Sequence, residues 1–538
     1  MSRTPLTLFG PSRKAPLDVR GLRAHCQQRV AAGEAAETVD LLLDLVEALA
    51  ARVEQLEQRV ARMAQAQWGR QSERLSKAQL ALALGESSPQ AALPPAADEN
   101  ARADGDGDSE PPAPARRLAR KKTRQIPAHI PRVTILSEPS EAQRTCSGCG
   151  HAKHLIGSES SEVLEWEPGG FRVEVTERRK YACRDCESGV VMGPGPSRVL
   201  PQAMPGAGLL AEVVVRKIKD SCPLDRQSRI FSERFGVPLS PSTLGDWLAG
   251  TADVLAPIAR RLREQGLQST HLSFDDTPIR VLDPAHPNGV KRGHLWSFVS
   301  DAPLVFYEYT PTWSGGPIQT LLSDYVGTLQ SDGYSGINAL YKKESPPTRA
   351  GCLAHARRKF HAAYQAGDLR AAGPLRLIQQ LYAVERRAKH DGCDAAERQR
   401  RRQAESQPLM QRLHDELQRL GAQAPPKTPL GQAITYALRQ WPTLTVFVHD
   451  GAQRIDNNHT ERTLRPVAIG RKNWLFAGSD DGARRLAILY TLVGSAEQAG
   501  LRDPWHYLRD VLHKLSQGWL HSRLDDLLPL SWQATHPG

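Results

Sequence analysis

The sequence predicts a multidomain, mixed architecture. In order, this is an N-terminal α-helical coiled coil, a zinc ribbon, a helical region, an RNase H-like α/β core with a helical insertion, and a helical C-terminal tail. Three observations carry that expectation. An unbroken apolar heptad runs near the N-terminus, and two CxxC pairs bracket a stretch that alternates like a β-hairpin. Further on, two aspartates stand at the ends of β-rich runs and a glutamate opens a later helix. The length of 538 residues agrees, because a single hydrophobic core stops growing well below it.

Composition narrows the class. The chain carries 70 Lys+Arg against 59 Asp+Glu, a formal net charge of +11, which suits an anionic polymer as partner. The opening stretch MSRTPLTLFGPSRKAPL lacks the apolar core of a signal peptide, and no apolar run reaches the length of a membrane span. A cytoplasmic location without membrane association is expected. In that compartment the eight Cys point to metal binding or burial rather than disulfides.

Residues 1–36 read as a tail and 37–84 as the coiled coil. Val39, Val46, Val53 and Val60 occupy one seam position, and Leu42, Leu49, Leu56 and Met63 the other. β-Branched residues at the first and Leu at the second favour a parallel two-stranded coil, hence a homodimer or higher oligomer. The competing reading is one amphipathic helix docked on its own domain. Residues 85–125, rich in Pro, Ala, Gly and Ser, cannot bury enough apolar area to fold and read as a disordered linker. Asp104, Asp106 and Asp108 fail as a calcium loop, since Ser109 and Ala115 stand where Gly and Glu are required.

Residues 126–198 form the zinc ribbon. Cys146 and Cys149, then Cys183 and Cys186, each make the tight knuckle that presents two thiolates to one tetrahedral Zn²⁺. Cys26, Cys222, Cys352 and Cys393 have no such pairing and read as small buried residues. Residues 199–262 read as helices, with a helix-turn-helix-like break at Gly236-Val-Pro238 and Ser240 or Ser242 as the next cap. This is a candidate DNA-binding region, although a plain packed helical pair fits nearly as well.

Residues 263–495 carry the core. THLSFDDTPIRVL, HLWSFVS, PLVFYEYT and VGTLQSD are short β-rich runs, with Asp275 near the end of the first and Asp332 at the end of the fourth. A charged helical insertion follows at about 366–430. Then come a strand expected in LTVFVHD and a short helix holding Glu461. Residues 496–538 form the helical tail. Asn458 and Glu461 also fit a capping box, and Pro466 is expected to end that helix.

Three converging acids make sense for phosphodiester chemistry. Two Mg²⁺ ions about 3.5–4 Å apart can bracket a scissile phosphate, and hard Mg²⁺ prefers carboxylate oxygens. DDTPIRVL, LQSDGYSGIN, GCLAHARRKF and NNHTERTLRPVAIGRKNWLFAGS resemble the signature blocks of insertion sequence 66 family transposases, which are DDE recombinases. The coil with WGRQSERL, the CxxC pairs, PLDRQSRIF and the closing LDDLLPLSW fit the same family in order. The resemblance implies a catalytic triad of Asp275, Asp332 and Glu461 holding two Mg²⁺ (or Mn²⁺). Double-stranded DNA would be the substrate, as element ends and as target. The family usually has Asp-Glu-Thr where this chain has Asp275-Asp276-Thr277, so spacing alone leaves Asp276 open.

The implied reaction is hydrolysis at the element end, then attack of the freed 3′-OH on target DNA, with no covalent enzyme intermediate. Accessory proteins encoded by the same element and nucleoid association are implied as well. Arg357, Arg358, Lys359, Arg462, Arg465, Arg471 and Lys472 are the candidate DNA contacts. His355 beside the Arg-Arg-Lys run is expected near a phosphate rather than as a C-x-x-H metal ligand with Cys352. Two other functions fit part of the pattern: a non-catalytic zinc-ribbon DNA-binding regulator, and a nuclease of the same fold without strand transfer.

Overall fold

The computed structural model describes residues 19–35, 38–39, 42, 126–185, 189–201 and 203–536. Apart from Thr38, Val39 and Leu42, the expected coiled coil lies outside them, as do the linker to 125 and Cys186. The chain divides into two compact units. One takes in N-terminal residues with 356–385 and 408–439, and the other takes in 90–355, 386–407 and 440–538.

The second unit opens with a four-stranded sheet made of β1 (Arg132–Ser137), β2 (His154–Glu167), β3 (Gly170–Ala182) and β4 (Val191–Met192). β2 and β3 are the expected antiparallel hairpin, turning at Gly169 with φ +115°. β1 runs parallel to β3, and β4 pairs with its far end; the alternation pattern gave no sign of either strand. Helices Ala207–Ile218, Leu224–Phe235 and Pro241–Leu267 follow. The break falls where expected: Gly236 takes φ +65° after Phe235, and Ser240 caps the next helix by accepting from Thr243 N–H. That helix runs beyond 262 to Leu267, because its buried stripe continues through Leu262 to Gly266. All three helices share one hydrophobic core with the sheet that follows.

That sheet has five strands: β5 (His271–Leu282), β6 (Val290–Ser300), β7 (Val305–Thr310), β8 (Thr328–Gln330) and β9 (Thr348–Ala350). Their order is β7-β6-β5-β8-β9. β5, β6 and β7 form an antiparallel meander, while β8 and β9 run parallel to β5. Buried residues on both faces of β6 and β7 mark a sheet covered on both sides. Helix Asn458–Trp474 lies against β5 and β6, and helix Asp480–Gln498 against β7. Helix Pro504–Ser516 adds Trp505, Tyr507 and Leu508 to the same core. Among the described residues no helix is long and apolar enough to cross a membrane.

Two local expectations are corrected. LTVFVHD is not a strand but two helical turns, Trp441–Leu444 and Val446–His449, and the fifth strand is Thr348–Ala350. The wholly buried Arg402 explains the change: its guanidinium gathers the carbonyls of Phe447, Asp450 and Gln453 where the last turn ends. A short apolar run cannot by itself distinguish such a turn from a strand. Nor does Pro466 end its helix. The buried stripe Thr460, Thr463, Leu464, Val467 and Gly470 continues through the proline, and packing outweighs the lost hydrogen bond.

The other unit is helical, as the expected insertion is. Phe360, Ile378, Leu381, Leu413, Leu417, Leu430 and Ile434 form its buried face. Of the four unpaired cysteines, Cys222, Cys352 and Cys393 are buried and Cys26 is only half-buried.

Glu165 at the end of β2 ties the first sheet to the helices. Its buried carboxylate accepts from Trp166 N–H (2.8 Å) and, at the start of helix Ala207–Ile218, from Leu209 N–H (2.8 Å). Gly206 and Gly208 are required there, since a Cβ on either would stand 2.2 Å or 2.6 Å from that carboxylate. Burial pushes the Glu165 carboxyl up, and the two N–H groups partly offset it. Glu165→Ala is expected to cost about 2 kcal/mol by orphaning helix N–H donors. An unchanged denaturant midpoint would show that the junction does not depend on this carboxylate.

Candidate active site and metal centre

Two adjacent parallel strands begin the site. β5 and β8 pair as far as Ser273 with Gln330. Asp275 and Asp332 each lie two residues beyond that pair, so one register carries both past it at matching positions. Gln330 fixes the strand end, donating from Nε2 to Gly351 O (2.9 Å) and Arg454 O (2.8 Å). Gly333, at φ +96°, makes the turn just after Asp332.

Glu461 comes from the first turn of helix Asn458–Trp474. Small hydroxyls join this helix to the sheet: Ser273 Oγ to Thr460 Oγ1 (2.8 Å) and Ser297 Oγ to Thr463 Oγ1 (2.6 Å). Asn457 Nδ2 donates to Phe274 O (2.9 Å), just before Asp275. Arg471 donates to Thr277 Oγ1 (2.6 Å) and Pro278 O (2.5 Å), just after it. The helix is thus held to β5 on either side of Asp275. The helix cap is Asn457 rather than Asn458 and makes no side-chain cap bond, while Asn458 turns to Asp456 Oδ2 (2.7 Å). The capping-box geometry is therefore not formed.

His355 stands between the second and third acids. Its Nε2 is 4.0 Å from Asp332 Oδ2, and its Nδ1 is 3.8 Å from Glu461 Oε1. Asp275 accepts from Asp276 N–H (2.8 Å). Burial pushes its carboxyl up to about 7, reinforced by the charges of Asp332, Glu461 and Asp276. Asp276 points elsewhere, its carboxylate held by His294 Nδ1 (2.5 Å) and Trp313 Nε1 (3.1 Å). Of the two adjacent acids, Asp275 is the one grouped with Asp332 and Glu461. Cys352 is buried, accepts from Asn457 N–H (3.2 Å) and has its thiol pushed up to about 12 by burial.

The expected basic residues divide into groups. Arg462, Arg465 and Lys472 are exposed on the glutamate helix, whereas Arg471 is half-buried and donates from Nη1 to β5. Arg471 and Lys472 line a groove of about 790 Å³ with Arg280, Lys291 and Arg292, which sequence reasoning missed. Their signal was the hairpin register, which sets Arg280 opposite Arg292. Arg357, Arg358 and Lys359 follow His355 on helix Leu353–Gln365, and Lys359 Nζ lies 4.8 Å over the Tyr436 ring.

The cysteine site is tighter. Cys146 N–H donates to His151 O (2.8 Å) and Gly150 N–H to Cys146 O (2.9 Å), forming a knuckle, while Cys183 follows the end of β3. The sulfurs of Cys146, Cys149 and Cys183 lie within 4.8 Å of one another, with Cys149 and Cys183 3.5 Å apart. Tetrahedral zinc, with bonds of about 2.3 Å, spaces its sulfurs about 3.8 Å apart, so the donors fit. Cys149, His151 and Asp185 form a second such group. Among the described residues the three carboxylates are not a group this close. Protein purified without chelator is expected to carry about one zinc per chain, and Cys149→Ser to lose it; metal analysis finding none in the wild type would refute the site.

Comparison with known proteins agrees with this division. Residues 202–485 match the model for "Transposase IS66 family", residues 143–187 the "zinc-finger binding domain of transposase IS66", and residues 55–135 "Transposase C of IS166 homeodomain". The zinc-finger match spans the cysteine cluster. Three proteins of Sinorhizobium fredii (strain NBRC 101917 / NGR234), each described as uncharacterized, are similar over most of their length. Protein y4jD is 35% identical over 77% of this chain and 82% of its own. Protein y4hP is 32% identical over 76% of each, and y4qI is 32% identical over 80% of each. With its core and its cysteine knuckles matched in order, the chain belongs to the IS66 family of transposases.

Proposed function

We propose that this chain is the DNA transposase of a bacterial insertion sequence, and that Asp275, Asp332 and Glu461 are its catalytic triad. The observation that carries the reading is that Asp332 and Glu461 flank His355 while Asp275, raised to about 7 chiefly by burial, feels the charges of both. Bringing carboxylates close together is unfavourable unless a cation offsets their charge, and hard oxygen donors suit Mg²⁺ or Mn²⁺. A set wider than one ion's coordination sphere is compatible with two ions. Bound, such ions would supply Lewis-acid activation of the phosphodiester and its nucleophile.

The mixed sheet supports an RNase H-like reading of the core, with three antiparallel strands continued by two parallel ones. The protein's own contribution is positioning. The hydroxyl contacts of Ser273 and Ser297 fix the glutamate helix, and Asn457 and Arg471 bracket Asp275. Exposed Arg462, Arg465 and Lys472 would grip the DNA backbone, as would Arg280 and Arg292 in the groove. The ribbon and coiled coil would arrange two chains on two element ends, with accessory proteins and the nucleoid as further partners.

Asp275→Asn, Asp332→Asn and Glu461→Gln should each lower cleavage and joining of a candidate element end in Mg²⁺ by at least about 100-fold. Gel-shift affinity should stay within a few fold. Wild-type cleavage without joining would favour the nuclease reading, and an active Glu461→Gln protein would remove the triad. Replacing both Leu49 and Leu56 by Glu should give monomers in sedimentation that pair element ends poorly. An unchanged oligomer would place the interface elsewhere.

A further inference from the structure

Next to the carboxylates, on the opposite face of β5, an aromatic stack ends in an exposed indole. Trp296 is buried and donates from Nε1 to Thr310 Oγ1 (2.8 Å). Tyr334, two residues after Asp332, packs on Trp296 with ring centroids 5.1 Å apart. Trp313 packs on Tyr334 at 5.1 Å and on His294 at 6.1 Å with planes 26° apart. Trp296, Tyr334 and His294 are buried, yet Trp313 is 56% exposed. A large exposed aromatic is usually mobile, but this one is held at both ends. Its Nε1 donates to Asp276 Oδ1 (3.1 Å), and its carbonyl accepts from Tyr334 Oη (2.7 Å). Asp276 is itself fixed by His294 and lies one residue after Asp275.

A surface with no ligand has no reason to fix an indole by its polar edge and leave its ring to water. Fixing the edge selects an orientation and leaves a flat π surface, the form that accepts the face of a nucleobase. We propose that Trp313 is the stacking platform for an unpaired base of the DNA strand held at the Asp275–Asp332–Glu461 cluster. The inference rests on the DNA-processing reading and adds a contact that reading does not require. A base in a duplex has both faces covered by its neighbours, so the platform selects a base that has left the stack. Indole stacking tolerates any base, so Trp313 sets the strand's conformation rather than its sequence.

The test measures binding in buffer free of Mg²⁺ and Mn²⁺, so it stands whether or not the protein joins DNA. The probes are a single-stranded oligonucleotide with one 2-aminopurine, the same strand with abasic positions, and a fully paired duplex. The full-length wild type should quench the 2-aminopurine and prefer the base-bearing strand over the abasic one. Trp313→Ala and Trp313→Leu should lose that quenching and about ten- to a hundredfold in affinity for the base-bearing strand, while Trp313→Phe keeps most of both. Duplex affinity should be unchanged throughout. The leucine variant keeps apolar bulk without a π face. Wild-type quenching and affinity in that variant would overturn the proposal, and so would an equal loss on paired and unpaired DNA. A protein inactive in strand transfer that still shows the Trp313-dependent preference would refute the transposase reading and leave this one intact.

Discussion

The placing of three half-buried acids near one another is the constraint on which the candidate site depends. Asp275 is pushed up to about 7 by burial and by the charges of its acidic neighbours. Left to themselves, such groups would turn apart into water. They stay together because each is fixed through its backbone by contacts outside the cluster. The β5–β8 register sets the two aspartates, Gln330 and the Gly333 turn hold the strand end, and a hydroxyl seam sets Glu461.

That seam has consequences for the fold. Leu or Ile at Thr460 and Thr463 would thicken the interface between helix and sheet and move Glu461 outward. Ser and Thr allow close approach and satisfy each other's hydrogen bonds in a buried setting, where an unpaired hydroxyl is costly. Tyr307 Oη donates to Thr463 O (2.7 Å), and Thr491 Oγ1 in turn accepts from Tyr307 N–H (2.9 Å). Polar contacts therefore run from the glutamate helix through β7 to the next helix. The helix persists past Pro466 for the same reason: its partners lie on the sheet rather than in its own backbone.

Much of this was legible in the sequence because it rests on short-range signals. Alternation marked β2, β3 and β5 to β7, Gly236 and Ser240 marked a helix break, and paired cysteines marked the knuckles. The three acids were named through the family resemblance; Asp332 does follow a strand end, but Asp275, expected near one, lies inside β5, because that strand runs on to Leu282. What stayed hidden depended on distant partners. β1 and β9 are short edge segments that gain their identity only from the strands they pair with. LTVFVHD turned helical because of Arg402, some 45 residues away in sequence. Arg471, a candidate DNA contact, also holds β5 from the far end of a helix expected to stop at Pro466.

The Asp275-Asp276 pair shows how one strand can serve both faces of a sheet. Successive side chains on a strand point to opposite sides. Asp275 shares its face with Ser273 and Thr277 and meets the glutamate helix, whereas Asp276 meets His294 and Trp313. Two adjacent carboxylates left in one space would compete for the same cation and repel each other. Alternation removes that conflict and leaves the second acid free to orient an aromatic surface next to the first. A one-residue slip in the β5–β6 register would exchange the two faces, sending Asp276 toward Glu461 and Asp275 toward the indole. The long pairing of β5 with β6, from Leu272 opposite Ser300 to Leu282 opposite Val290, resists that slip along the whole strand. The length of this hairpin, well beyond what the parallel pairing with β8 needs, is what keeps the acid cluster and the aromatic stack on their own sides.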